Sequence, residues 1–120
     1  MPNEAEAITI RFADDFEANL YALAKRYRSI RNDVQPVIEQ LQAGNFIGDR
    51  IPGMGEDYII LKVRVKNSNI QKGKSAGYRM IYQVESPSIV LLLTIYSKSD
   101  RTDISLNEIR SIIAEFDESQ

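Results

Sequence analysis

Tyr58-Ile-Ile-Leu-Lys62-Val-Arg64-Val-Lys66 is the stretch on which the fold turns. Leu61, Val63 and Val65 alternate with Lys62, Arg64 and Lys66, the two-residue period of a strand with one apolar and one charged face. Tyr78–Val84 predicts a second strand, and Ser86, Pro87 and Ser88 make a tight turn. Ile89–Tyr96 follows, so uniformly apolar that it reads as a strand covered on both faces. Upstream, Ile8, Ile10 and Phe12 alternate with Thr9 and Arg11, predicting a short first strand. Asp14 with Glu17 then offers a helix cap, and Phe16, Leu20, Leu23, Ala24 and Tyr27 carry a helix to about Ile30. Asn32 or Asp33 caps a second helix with Pro36 in its first turn, apolar at Val34, Val37, Ile38 and Leu41, and ended by Gly44. After the strands, Ser105 and Glu108 form another capping pair, and Leu106, Ile109, Ile112, Ile113 and Phe116 make an amphipathic last helix. The order is strand, helical hairpin, three antiparallel strands, helix. It predicts one α+β domain over residues 1–120, with a twisted, mainly antiparallel sheet and its helices on one face. A chain of 120 residues can bury one core without cross-links.

The net charge of −2 conceals a polar molecule. Between Tyr58 and Arg101 stand eight of the fifteen basic residues, against only Glu85 and Asp100. The rest of the chain is correspondingly acidic. Such a segment attracts polyanions, and three cations spaced roughly 7 Å apart on one strand face approach the phosphate spacing of an extended nucleic acid. A solvated outer sheet face would explain Lys62, Arg64 and Lys66 equally well. Arg79 lies in the adjacent predicted strand, where it could also stack on Tyr82 or pair with Glu85. Lys98 and Arg101 follow the apolar strand, at the kind of strand end that carries sites, although Asp100 and Asp103 could neutralise them. Convergence of all of them is harder to explain as surface than any one alone.

Composition narrows the chemistry. There is no cysteine and no histidine, which excludes thiolate catalysis, disulfides and the commonest metal ligand and acid–base group. Neither a cofactor nor a metal is expected. Lys, Arg, Tyr, Ser, Thr and carboxylates remain. Gly53-Met54-Gly55 lacks the preceding strand and third glycine of a dinucleotide fingerprint, and Gly73-Lys74-Ser75 lacks the earlier glycine of a P-loop. Lys72, Gly73 and Lys74 could still clamp a phosphate, or form a simple connecting loop. The N-terminus shows no basic segment leading into an apolar one, and the run from Ile89 to Ile95 is too short to span a bilayer, so a soluble cytoplasmic protein without membrane contact is expected.

Three segments together resemble the RelE/ParE toxin superfamily, most closely its RelE- and HigB-like branches. They are Lys62 to Lys66, Gly73 to Tyr82 with its Gly77-Tyr78-Arg79-Met80-Ile81-Tyr82 core, and Leu92 to Lys98. The resemblance implies a RelE-like fold and the toxin half of a type II toxin–antitoxin system. It also implies an endoribonuclease that cleaves mRNA, generally on the ribosome, silenced by a cognate DNA-binding antitoxin. Without a metal, a base removes the ribose 2′-OH proton, the oxygen attacks the adjacent phosphate, cations hold the developing charge, and an acid protonates the 5′-oxygen. A lysine base needs its neutral form, which neighbouring guanidiniums favour. By resemblance Lys62, Arg64, Arg79 and Lys98 are the catalytic residues, and Lys66, Lys72, Lys74, Tyr78, Tyr96 and Arg101 bind substrate. Two positions depart from the pattern. Ser99 replaces an arginine, leaving Arg101 to substitute, and Ile104-Ser105-Leu106-Asn107 lacks a tyrosine, leaving Tyr96 or Tyr78 to stack a base. A ParE-like gyrase poison without nuclease activity and a non-catalytic RNA- or protein-binding module are the alternatives.

Overall fold

The computed structural model describes residues 7–70 and 76–119. Its elements run β1 (Thr9–Phe12), α1 (Asp14–Arg26), α2 (Ile30–Gln42), β2 (Asp49–Arg50), β3 (Ile59–Val65), β4 (Tyr78–Ser86), β5 (Ile89–Ser97) and α3 (Leu106–Glu118). The strands form one sheet ordered β1-β5-β4-β3-β2, antiparallel except for β1, which runs parallel to β5. The apolar Ile89–Tyr96 stretch thus lies between two strands, as its composition requires. β2 was not legible, being two exposed residues paired with Leu61 and Lys62.

Strand parity divides the core in two. Leu61, Val63, Val65, Tyr78, Met80 and Tyr82 face α1 and α2, where Phe16, Leu23, Ile30, Val34 and Leu41 meet them. Ile60, Ile81, Leu91, Leu93 and Tyr96 face the other way and pack under Ile109, Ile112 and Ile113 of α3. The expectation that all helices share one face is therefore corrected: α3 covers the opposite side. An amphipathic stripe tells which side of a helix is buried, but the far side of this sheet is apolar too, and an apolar sheet face left to water would be unfavourable by roughly 25 cal/mol per Å².

The helix starts also shift. Ala13 holds the N-cap position of α1, where its methyl can accept no bond, and its N–H continues the β1 ladder to the Leu92 carbonyl at 2.9 Å. Asp14, Asp15 and Glu17 occupy the first turn, where the helix dipole favours them. The helix α1 ends at Arg26, and Ile30, fully buried, opens α2. Asn32 and Asp33 are inside α2 rather than capping it, and Pro36 falls in its interior. Tertiary contact explains the change: Asp33 accepts hydrogen bonds from Ser68 N (2.9 Å) and Oγ (3.0 Å) across the fold. The Ser105–Glu108 capping box of α3 forms as expected.

Candidate active site

Register decides which cations meet. In the β3–β4 ladder Arg64 stands opposite Arg79 and Lys62 opposite Ile81. In the β4–β5 ladder Arg79 stands opposite Tyr96. Residues directly opposite share a face, so Arg64, Arg79 and Tyr96 form one row across three strands, with Lys62 beside it. Arg79 is 5% exposed and donates through Nη1 to the Tyr78 carbonyl at 3.2 Å. Glu85 pairs instead with Arg11, at 3.7 Å.

The chain leaving β5 closes over this row. Lys98 Nζ donates to the Thr102 carbonyl at 2.9 Å. Arg101 grips Glu108 with two bonds of 3.0 and 2.7 Å, donates from Nε to the Asp103 carbonyl at 2.9 Å, and lays its guanidinium 5.4 Å from the Tyr96 ring centroid. Lys62 Nζ meets Asp103 Oδ1 at 3.2 Å, and the same oxygen accepts from the Ile104 N–H at 2.8 Å. That amide, then Lys62, holds the Asp103 carboxyl below its usual range, and Arg101 does the same for Glu108. Burial pushes the Tyr96 phenol up, Asp103 and Glu108 add to this, and Arg101 and Arg79 oppose it. The Tyr96 ring is therefore the centre around which two guanidiniums and two carboxylates gather.

Beyond Leu92, the last residue paired with β1, the outer edge of β5 borders a cleft of about 680 Å³ between α1 and α3. Tyr96 and Arg101 line one side of it. At its mouth Arg26 Nη1 binds Asp100 Oδ2 at 2.7 Å and Nη2 reaches the Tyr27 hydroxyl at 2.9 Å. Asn19 Nδ2 donates to Thr94 Oγ1 at 2.9 Å on the cleft floor. No motif in the sequence marks Arg26, which lies in the last turn of α1. Its position beside a basic strand end is the only signal.

Not every expected residue joins the cluster. Lys66 lies exposed just past β3, and Lys72 and Lys74 fall outside the described residues. Tyr78 is a correction: it is fully buried on the opposite face, edge-on to Tyr27 with ring centroids 5.8 Å apart. Neighbouring strand residues point to opposite sides, so Tyr78 and Arg79 could not both serve one site. Among the described residues, no group of three or more acidic side chains is arranged to hold a metal ion. No helix among them is long and apolar enough to cross a membrane.

No family model matches the chain, and no curated protein matches it in sequence. Solved structures do. An arginine double mutant of the E. coli toxin RelE in the free state superposes with a TM-score of 0.53 over 91% of this chain and 96% of that one, at 16% identity. The fold is RelE-like. At that identity the likeness fixes architecture and leaves chemistry to the residues. On this RelE-like frame the basic row occupies the sheet face beneath α3.

Proposed function

We propose that this RelE-like chain is the toxin of a type II toxin–antitoxin pair, a ribosome-associated endoribonuclease acting on mRNA in the cytoplasm. The observation that carries the reading is the row Arg64–Arg79–Tyr96, which sets two like charges in direct opposition. Like charges opposite one another in a ladder are unfavourable, so the arrangement is better suited to an anion than to stability. A bound phosphate would sit between them and take the place of Asp103 and Glu108 as the partner of Lys62 and Arg101. The guanidiniums then hold the charge growing on the phosphoryl oxygens, a contribution of about 10²–10³-fold per donor in other enzymes. Lys62 is the amine proposed to take the 2′-OH proton, and Lys98 supports the strand end. An antitoxin, itself DNA-binding, would silence the protein by covering the basic face.

A gyrase-poison reading has one observation in its favour. Lys62, Lys98 and Arg101 are each already engaged by a carboxylate or carbonyl, as in a structural surface. Induced expression separates the two. Growth arrest with broken mRNA and normal gyrase supports the nuclease. Intact mRNA with accumulated gyrase–DNA cleavage complexes refutes it.

A further inference from the structure

We propose that the Tyr96 hydroxyl is the proton donor to the leaving 5′-oxygen of the cleaved RNA, a catalytic role that rests on the nuclease reading above. The phenol is 6% exposed, and its oxygen is buried without a hydrogen-bond partner among the described residues. Leaving a buried hydroxyl unsatisfied costs about 1–3 kcal/mol, and such groups in a cleft wall commonly await a ligand. The surroundings specify that ligand. Arg79 stands opposite Tyr96 in the ladder, and the Arg101 guanidinium lies over the ring. Once a phosphate takes the place of Glu108 on Arg101, the two guanidiniums form a donor set for an anionic oxygen. Three polar heads of the cluster are occupied: Lys62 by Asp103, Lys98 by Thr102, Arg101 by Glu108. The Tyr96 hydroxyl is a buried, neutral donor without a partner among the described residues.

Stacking, the role a tyrosine would otherwise take, fits this geometry poorly. One face of the ring is covered by Arg101, and the ring packs in the cluster formed with Ile109, Ile112 and Ile113. Donation fits it well. A phenol is protonated at neutral pH, as an acid must be before it acts; burial alone would weaken it as a donor, and Arg101 and Arg79 work against that by favouring the phenolate. In the step, the 2′-oxygen forms its bond to phosphorus as its proton passes to the base. The P–O5′ bond breaks, and the Tyr96 proton moves to the departing oxygen. The products are a 2′,3′-cyclic phosphate and a 5′-hydroxyl. The phenolate left behind is favoured by Arg79, opposite it in the ladder, and by Arg101 over its ring, and a solvent proton restores it.

The test compares Tyr96→Phe with the unmodified protein on a ribosome-bound synthetic mRNA. One linkage of this mRNA is either native or carries sulfur in place of the bridging 5′-oxygen, a leaving group that needs no proton. The role requires a loss of about 10²–10⁴-fold on the native linkage, the range of general acid catalysis, and a rate within a few-fold of the unmodified protein on the sulfur linkage. An equal loss on both overturns the role and leaves the nuclease reading intact. An unmodified protein that cleaves neither overturns both. Phe retains the ring and removes only the unpartnered oxygen, so the variant should fold; an unchanged or raised melting temperature confirms it.

Discussion

Arg64 and Arg79 are direct partners in the β3–β4 ladder, two guanidinium-bearing residues on one face of the sheet with Tyr96 completing the row. Evolution for stability alone would separate them. Replacing Arg64 by Gln should therefore leave stability unchanged or raise it by about 0.2–1 kcal/mol, read from the urea midpoint. Cleavage of mRNA should fall by about 10²-fold or more in the same variant. A loss of both stability and activity would mark Arg64 as structural.

Asp103 and Glu108 both have folded-state pKa values below their ordinary 3.8 and 4.5. Stability drawn from such groups is complete above the ordinary values and is lost as pH falls through the lower, folded ones. Urea midpoints measured from pH 6 down to pH 2 should decline below about pH 4. Asp103→Asn with Glu108→Gln should flatten that decline. Both groups are largely solvent-exposed, so the effect is modest.

Tyr78 and Tyr82 look alike in the sequence and should behave differently. The Tyr82 hydroxyl donates to the Ile47 carbonyl at 2.5 Å, whereas the Tyr78 hydroxyl is buried without a partner among the described residues. Tyr82→Phe should cost about 0.5–1.5 kcal/mol. Tyr78→Phe should be neutral or stabilising and leave mRNA cleavage unchanged, since its ring faces away from the cations. Chemical denaturation and a cleavage assay of the two variants check both.

Gly77 precedes β4 at a close approach to β3. A Cβ there would press into the Val65 carbonyl, backbone that cannot swing aside. Gly77→Ala should destabilise by about 1–3 kcal/mol, the usual cost of overpacking, and should displace the Arg64–Arg79 pairing nearby. Amide exchange along Tyr78–Met80 should accelerate in step with the loss of stability.

Much of this was legible in the chain. The alternation of Leu61, Val63 and Val65 with Lys62, Arg64 and Lys66 established both the strand and its charged face, because side-chain direction along a strand is geometric. The face of Arg79 was not readable. Parity within β4 is fixed by sequence, but its relation to β3 depends on register, which the pairing of Val65 with Tyr78 sets. Adjacent residues must diverge, so Tyr78 could have been removed from the site by the same rule that kept Lys62 and Arg64 together. The ion pairs of Asp103 and Glu108 bridge 41 and 7 residues, and no local pattern reports the longer of the two. Glu108 was visible only as a helix cap, although it serves as both cap and partner of Arg101.

The central claim, that the basic row cleaves RNA, is tested most directly by mapping the ends of cellular mRNA after brief induction of the unmodified protein and of Arg79→Gln. The account requires new breaks within translated codons that carry 2′,3′-cyclic phosphate and 5′-hydroxyl ends, abolished in the variant. Unbroken mRNA under growth arrest, or breaks that persist in Arg79→Gln, would contradict it.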